Sequence, residues 1–224
     1  MSNKHRFDRT QLLFGKENLE RFSNFKIILF GVGGVGSFTL DCLYRTGFKN
    51  ITIVDFDSYD ETNRNRQMGS DGNIGDKKTD VLQKLYPEIK TIFIRASAEW
   101  VDQFDFSSFD LVLDAVDDSL VKVFIAKNSS EKLISSMGSG RQSDSTKIEV
   151  VSIWETENDP FARSIRKSLR RNGFSGDYPV IFSSADRRGK ADGSFVGVTG
   201  SFGLALCGEA VKRAENVTAT IPTS

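Results

Sequence analysis

The sequence predicts an α/β protein with a Rossmann-like, doubly wound, mostly parallel sheet, flanking helices and a C-terminal extension. Short apolar runs alternate with segments of helical periodicity, which is the pattern of parallel strands joined by crossover helices. A glycine cluster, Gly31-Val-Gly-Gly-Val-Gly36, follows the first apolar run directly, and Asp55 ends the second. A strand, a glycine turn, a helix and a second strand ending in an acid are typical of nucleotide-binding βαβ units.

The predicted elements follow one another through short connections. A helix at residues 15–24, with Leu19 and Phe22 on one side, precedes the first strand. Gly47 and Pro87 are each expected to end a helix, because neither residue continues one well. Strands are predicted at residues 26–30, 51–55, 91–95, 111–114, 132–136 and 148–154, and helices at residues 37–47, 76–86, 119–128, 159–171 and 201–214.

A single domain is expected for the whole chain. Its 224 residues and 38% hydrophobic content suffice for one α/β core. We divide this domain into an N-terminal helix in residues 1–25, a nucleotide-binding core in 26–150, a C-terminal part in 151–214 and a tail in 215–224.

Charge and apolar content exclude several classes of protein. Thirty Lys and Arg balance thirty Asp and Glu, so contact with nucleic acid requires a local patch of charge. The longest apolar helical stretch, residues 202–211, is interrupted by glycines and is shorter than the ~20 residues that span a bilayer. The first ten residues contain no apolar signal core. We therefore expect a cytoplasmic protein without a membrane span.

The chain has two cysteines, Cys42 and Cys207, and no C-x-x-C pair. Two thiols are too few for a four-thiolate zinc site or a disulfide framework, so we expect no zinc. Cys42 lies in the predicted helix after the glycine cluster, and Cys207 lies in the apolar final helix. We expect both to be buried packing residues and neither to be a nucleophile.

The glycine cluster predicts a phosphate site. Gly31, Gly33 and Gly36 fit G-x-G-x-x-G, and Gly34 adds a fourth glycine. Backbone N–H groups and the positive helix N-terminus can hold phosphate oxygens there. Asp55 ends the second strand, where a carboxylate accepts hydrogen bonds from a ribose. A glycine turn that merely packs helix on strand is the alternative, but the full context favours a nucleotide.

The segment after the second strand is polar and rich in cations. Arg64 and Arg66 precede Lys77 and Lys78, which start a predicted helix. The backbone of a glycine loop is enough to bind a pyrophosphate, so these additional cations indicate a larger negative charge. They suit a nucleoside triphosphate whose α-phosphorus is attacked. An ordinary solvated loop is the alternative.

Carboxylates follow the predicted strand at residues 111–114. Asp117 and Asp118 come just past its carboxyl end, the edge where open α/β sheets bind ligands. Hard oxygen ligands at that edge suit magnesium.

Five motifs in order resemble the ubiquitin-activating-like adenylating superfamily, which includes bacterial enzymes of thiamine and molybdopterin biosynthesis. They are Gly-x-Gly-Gly-x-Gly, Asp-x-Asp, Asn-x-Asn-Arg-Gln, Gly-x-x-Lys and Asp-Ala-Val-Asp. The resemblance implies ATP and Mg²⁺ as cofactors. It also implies that a substrate carboxylate attacks the α-phosphorus of ATP, giving an acyl-adenylate and pyrophosphate.

The same resemblance assigns roles to individual residues. Gly34 falls at the phosphates, and residues 63–66 fall along the triphosphate. Lys78, rather than Lys77, falls on the catalytic lysine, and Asp117 falls on the magnesium-coordinating aspartate. The implied catalytic residues are Arg66, Lys78 and Asp117, and the implied nucleotide-binding residues are Gly31, Gly33, Gly34, Gly36, Asp55, Asp57, Asn63, Asn65, Arg66 and Lys78.

A narrower resemblance covers nearly the whole chain. Residues 6–10, 13–17, 159–170, 182–184 and 198–202 are similar, in order and spacing, to the tRNA threonylcarbamoyladenosine dehydratase family. This implies ATP-dependent activation of the carboxylate of threonylcarbamoyladenosine at tRNA position 37, followed by closure to a cyclic form with loss of one water. Without a reactive thiol the adenylate must be consumed directly, and a neighbouring nitrogen or oxygen of the same substrate can do so.

The helix predicted at residues 159–171 offers the local basic patch that RNA binding needs. Residues 161–190 hold eight Lys and Arg against Asp177 and Asp186. An apolar stripe of Ala162, Ile165 and Leu169 lies opposite the basic positions. We expect tRNA contact here, with a merely solvated basic face as the alternative. The candidate tRNA-binding residues are Arg163, Arg166, Lys167, Arg170 and Arg171.

Arg9 falls where the superfamily carries an N-terminal arginine that reaches the partner's ATP across a homodimer. The resemblance therefore implies a homodimer with a cross-subunit contact, and it leaves a sulfur-relay protein open as a further partner. Other functions also stay open. They are adenylation of a ubiquitin-like sulfur-carrier protein, nucleotide sensing without turnover, and NAD binding by a Rossmann module.

Overall fold

The computed structural model describes residues 5–216, in which seven strands form one sheet. The strands are β1 (Ile27–Phe30), β2 (Ile51–Asp55), β3 (Lys90–Phe93), β4 (Leu111–Asp114), β5 (Leu133–Ser136), β6 (Ile148–Ser152) and β7 (Pro179–Ser183). The helices are α1 (Asp8–Asn24), α2 (Gly36–Thr46), α3 (Lys78–Leu85), α4 (Ala98–Asp102), α5 (Ser119–Ser129), α6 (Pro160–Arg171) and α7 (Val196–Asn216).

The strand order is β3-β2-β1-β4-β5-β7-β6. All neighbouring pairs are parallel except β6 and β7, which are antiparallel. The order reverses between β1 and β4, and this switch point is where ligands bind in sheets of this kind. The predicted Rossmann-like, mostly parallel fold is confirmed.

Helices cover both faces of the sheet, so β1 is apolar at every position. Ile27 and Leu29 pack on one face with residues of α1, α2, α3 and α7. Ile28 and Phe30 pack on the other face with residues of α4, α5 and α6. Alternate side chains of a strand point to opposite faces, and here both faces are buried.

Several elements differ from the sequence prediction. Helix α1 begins at Asp8 rather than at residue 15, and Gly15, with φ 82°, kinks it. Strand β7 was not predicted, because a single apolar run without a following helical pattern gives little signal. Helix α4 spans five residues and was also missed, since it is too short to show a period.

Helix α7 begins at Val196, five residues before its predicted start. Its glycines allow close packing on α2. A Cβ built on Gly203 would lie 2.4 Å from the Val35 carbonyl oxygen, so no larger residue fits there. At the other end, Glu215 and Asn216 belong to α7 rather than to the predicted tail. Residues 1–4 of the predicted N-terminal part and 217–224 of the tail lie outside the described residues.

Cys42 of α2 and Cys207 of α7 form a disulfide across 165 residues of chain. Cys207 is buried, whereas Cys42 is half-buried. The expectation of two separate packing residues is therefore wrong. Nothing in the local sequence links the two positions, because only the packing of α2 on α7 brings them together.

Within residues 5–216, no helix is long and apolar enough to cross a membrane.

Candidate nucleotide site

A cavity of about 1050 Å³ opens at the carboxyl ends of β1, β2, β4 and β5. Nine of the predicted site residues line it, although they come from five separate segments of the chain. Gly36 and Asn65 do not line it. The lining residues from the predicted set are Gly31, Gly33, Gly34, Asp55, Asp57, Asn63, Arg66, Lys78 and Asp117.

The glycine loop is built so that only glycine fits at its two ends. Gly31 has φ 80°, and a Cβ there would meet the Ala115 carbonyl oxygen at 2.9 Å. A Cβ on Gly36 would lie 1.9 Å from the Gly31 carbonyl oxygen, so Gly36 supports the loop from behind instead of facing the cavity. Helix α2 begins at Gly36 and directs its N-terminus towards the loop, where an anion is favoured.

Asp55, at the end of β2, connects the strand to the glycine loop. Its Oδ2 accepts a hydrogen bond from the Val32 backbone N–H at 2.8 Å, and its Oδ1 accepts one from Asp57 N–H at 2.8 Å. Both oxygens are thus oriented by backbone donors at the cavity wall. Each retains a lone pair that a ribose hydroxyl can use.

Lys78 is the first residue of α3, and it is almost entirely buried. Its Nζ donates to Asp57 Oδ2 at 2.9 Å, and its backbone N–H donates to the Asp57 carbonyl oxygen at 3.0 Å. The side chain of Asp57 is half-exposed to the cavity. The ammonium is therefore fixed at the wall, where negative charge on a ligand can pair with it.

Arg66 lies beside Gly34 of the glycine loop and lines the cavity. Its Nη1 donates to the Thr62 carbonyl oxygen and to Asn65 Oδ1, both at 2.8 Å. Asn65 in turn donates to the Ser194 carbonyl oxygen at 3.4 Å. Asn65 therefore orients Arg66 from outside the cavity, and its predicted contact with the nucleotide stays a prediction.

Asn63 is buried at the end of a 3₁₀ turn, where its Oδ1 accepts a hydrogen bond from Asp60 N–H at 3.3 Å. Asp60 caps the same turn, and hydrogen bonds from Thr62 lower the pKa of its carboxyl. The two side chains fix the loop that carries Arg66.

The carboxylates after β4 have distinct roles. Asp118 caps α5 by accepting from the N–H groups of Leu120 and Val121. Asp117 is exposed and lines the cavity, and its carboxylate has no hydrogen bond or ion pair within residues 5–216. Asp117 is therefore available to a ligand.

Asp114 is buried in an ion pair that the sequence did not reveal. Lys122 Nζ donates to Asp114 Oδ2 at 2.9 Å, to Ser135 Oγ at 3.2 Å and to the Ser136 carbonyl oxygen at 2.7 Å. Lys122 looked like one polar residue of α5, and no local pattern marks it as buried. The pair neutralises Asp114 and fixes the carboxyl ends of β4 and β5 below the cavity.

The described residues contain no group of three or more His, Cys, Asp or Glu that could hold a metal ion. Magnesium does not require such a group, because it commonly uses one or two carboxylates together with phosphate oxygens and water. The free carboxylate of Asp117 beside a phosphate-binding loop therefore fits magnesium held jointly with a nucleotide.

One end of the cavity is apolar and suits a purine base. Val54, Phe56 and Ile94 line it, and the Arg95 guanidinium lies 4.0 Å from the centroid of the Phe56 ring. A flat base can stack against such an aromatic and guanidinium surface. These residues carry no sequence motif and were not predicted.

Arg187 also lines the cavity, and it was not among the predicted nucleotide-site residues. Its Nη2 pairs with Asp159 Oδ1 at 2.8 Å and donates to the Gly138 carbonyl oxygen at 3.3 Å. Asp159 caps α6 through the N–H groups of Phe161 and Ala162. Arg187 thereby joins the start of α6 to the loop after β5.

Helix α6 has the two faces that the sequence predicted. Ala162, Ile165 and Leu169 are buried, while the five basic positions face outward and none of them lines the cavity. Arg166 is half-buried and donates to Thr156, and Arg170 lies over the ring of Trp154. Three exposed basic residues of α6 make no hydrogen bond, ion pair or cation–π contact within residues 5–216, and these are Arg163, Lys167 and Arg171.

The basic face carries mutual repulsion. Burial is the main cause that lowers the pKa of the Arg166 guanidinium, and the like charges of Arg170 and Arg163 lower this pKa further. An anion on this face would relieve that repulsion.

Arg9 does not line this cavity in its own chain. It lines a shallow groove of about 400 Å³ between α1, α2 and α7, together with Leu13 and Leu204. Both leucines are largely exposed.

Together, the glycine loop, the oriented acid and the convergent cations define a Rossmann-like nucleotide-binding protein. The profile of the ThiF family matches residues 7–220. The tRNA threonylcarbamoyladenosine dehydratase of Bacillus subtilis (strain 168) is 36% identical over 189 residues, covering 80% of this chain and 74% of that protein. The Escherichia coli (strain K12) protein of the same name is 30% identical over 196 residues, 83% of this chain and 71% of the relative.

Solved structures of a tRNA N6-threonylcarbamoyladenosine dehydratase have the same fold as this chain. The E. coli tRNA N6-threonylcarbamoyladenosine dehydratase TcdA in complex with AMP superposes with a TM-score of 0.86 at 28% identity, covering 93% of both chains. Its complex with ATP gives a TM-score of 0.84 at the same identity and coverage. The chain belongs to the ThiF family and, within it, to the tRNA threonylcarbamoyladenosine dehydratases.

Proposed function

We propose that this chain catalyses the ATP-dependent dehydration of threonylcarbamoyladenosine at position 37 of tRNA through an adenylated carboxylate. The observation that carries the proposal is the convergence of the glycine loop, Arg66, Lys78 and Asp117 on one cavity. The relatives named above, and the AMP and ATP complexes of the E. coli enzyme, support it.

The glycine loop binds the phosphates through backbone N–H groups, and Asp55 accepts hydrogen bonds from the ribose. When the substrate carboxylate attacks the α-phosphorus, the bond between the α-phosphorus and the oxygen that bridges it to the β-phosphorus breaks. Pyrophosphate then leaves. Lys78 and Arg66 stabilise the negative charge that develops on the phosphates. Lys78 does so from a fixed position, because Asp57 holds its ammonium at the wall.

A nitrogen or oxygen of the same threonylcarbamoyl group then attacks the activated carbonyl carbon. AMP leaves with one former carboxylate oxygen, and the attacking atom loses its proton. The substrate has lost one water in total, and ATP has become AMP and pyrophosphate. Both reacting groups belong to one molecule, which gives a high effective concentration without a protein thiol.

We infer that Asp117 holds Mg²⁺ together with the phosphates. A bound magnesium ion would neutralise charge on the leaving pyrophosphate.

The basic face of α6 is the proposed tRNA contact, because its three unpaired cations can follow a phosphate backbone. We infer a cytoplasmic location from that substrate. We also infer a homodimer in which the second copy covers the groove lined by Leu13 and Leu204, and in which Arg9 approaches the partner's nucleotide. From the family resemblance we also propose a sulfur-relay protein as a partner.

A direct test compares two neighbouring lysines. The protein is incubated with ATP, magnesium and tRNA carrying threonylcarbamoyladenosine, and the nucleosides are then weighed. We expect the wild-type chain and Lys77→Ala to remove the mass of one water. Lys78→Ala should slow this reaction at least about 100-fold, because it removes a charge that acts on the transition state. Lys77 is a matched control, since its Nζ lies over the exposed Phe93 ring and outside the cavity lining.

Two results would contradict the proposal. An unchanged nucleoside, with ATP split only when a protein ending in Gly-Gly is supplied, would indicate a sulfur-carrier adenylating enzyme. Equal activity of Lys78→Ala and Lys77→Ala would remove Lys78 from the mechanism.

A further inference from the structure

The hydroxyl of Thr199 is an unpaired polar group in the wall of the nucleotide cavity. Thr199 lies in the first turn of α7, is 3% exposed and lines the cavity. Its Oγ1 has no hydrogen-bond partner within residues 5–216. Burying a hydroxyl without a partner costs free energy, so such a group in a cavity wall suggests a partner that comes with a ligand.

Thr199 faces the glycine loop at the point where phosphates are expected. A Cβ built on Gly34 would lie 3.4 Å from Thr199 Cβ and 3.2 Å from both Cγ and Cδ of Arg66. Thr199 and Arg66 therefore meet at the same point of the loop, from two different elements. The Oε1 of Gln67, which also lines the cavity, is likewise buried without a partner.

Neighbouring hydroxyl groups in the same helix pair are satisfied. Thr39 Oγ1 lies within hydrogen-bond distance of the carbonyl oxygens of Val35 and Gly203 and donates its one proton to either of them. Ser201 Oγ donates to the Gly197 carbonyl oxygen at 2.6 Å. The helix pair thus provides partners for these two hydroxyls but not for that of Thr199. A valine would fill the same volume without leaving an unpaired oxygen.

We propose that Thr199 is a nucleotide-binding residue whose hydroxyl donates a hydrogen bond to a phosphate oxygen held over Gly34. The proposal rests on the nucleotide site proposed above and extends it to α7. Arg66 contacts the same glycine through its aliphatic carbons. On nucleotide binding, the Arg66 guanidinium gives up its hydrogen bonds to the Thr62 carbonyl oxygen and to Asn65 Oδ1 and pairs with the phosphates instead. The Thr199 hydroxyl then becomes accessible to the same phosphate group. Helix α7 then joins α2 in binding the phosphates.

The test measures the affinity of Thr199→Val for MgATP and for adenosine by calorimetry. We expect MgATP to bind about tenfold more weakly, the size of one lost hydrogen bond to a charged group. Adenosine, which has no phosphate, should bind as it does to the wild-type chain. Without ligand, the melting temperature of Thr199→Val should equal or exceed that of the wild-type chain, because an unpaired buried oxygen is gone. Thr199→Ser, which keeps the hydroxyl, should retain the affinity for MgATP.

Thr39→Val is the matched control. It removes a satisfied hydroxyl from the same helix pair, so it should lower the melting temperature while the affinity for MgATP stays within about twofold. Equal affinity of Thr199→Val and the wild-type chain for MgATP would overturn the proposal, and so would an equal loss for adenosine. A wild-type chain that binds no MgATP would instead overturn the proposed function itself.

Discussion

Some residues of the nucleotide site maintain the shape of its backbone, whereas others face the ligand. Gly36 lies behind the glycine loop, where a Cβ would overlap the Gly31 carbonyl oxygen. Gly33 faces the cavity, and a Cβ on it would meet nothing closer than Gln67 Nε2 at 3.8 Å. The same motif therefore contains glycines required for two different physical reasons.

Alanine substitutions should separate the two reasons. Gly36→Ala should lower the free energy of unfolding by at least about 3 kcal/mol, because the loop or α2 must shift to relieve the overlap. Gly33→Ala should change it by less than about 1 kcal/mol, while a methyl group over the phosphate-binding surface weakens MgATP binding. Urea denaturation and calorimetry measure the two effects. A stable Gly36→Ala that binds MgATP normally would disprove this description of the loop.

At the scale of elements, α6 presents three unpaired cations on its outer face. We expect Arg163→Glu/Lys167→Glu/Arg171→Glu to weaken tRNA binding more than tenfold and to reduce the slope of log affinity against log salt by about 2 to 3. Electrophoretic mobility or fluorescence titration at several salt concentrations measures both quantities. The fold should be retained, because these side chains are exposed.

A second triple variant controls for net charge. Lys49, Lys84 and Lys90 are exposed and lie away from α6. Lys49→Glu/Lys84→Glu/Lys90→Glu changes the total charge equally, and it should have a smaller effect on tRNA affinity. Equal losses from both variants would show that total charge, rather than the face of α6, attracts tRNA.

At the scale of the whole molecule, the disulfide joins the helix after the glycine loop to the last helix. We expect a reductant to lower the free energy of unfolding by about 2–5 kcal/mol, because the bond closes a loop of 165 residues. Cys42→Ser should unfold at the same urea concentration with and without reductant. Two thiols that titrate in the native, unreduced protein would contradict the bond.

The sequence by itself determined the Rossmann-like class, the glycine loop and the acid that ends β2. Each of these depends on a local pattern of strand, turn and helix, so neighbouring residues suffice to predict it. Family motifs singled out Arg66, Lys78 and Asp117, which the structure brings into the same cavity.

Only the tertiary structure decided which distant groups meet. Lys122 pairs with Asp114 below the cavity, Arg187 joins α6 to the loop after β5, and Cys42 bonds to Cys207. Thr199 reaches Gly34 because glycines let α7 pack closely on α2. These contacts join segments that are well separated along the chain. Burial and long-range pairing result from the packing of whole elements, which no local periodicity encodes.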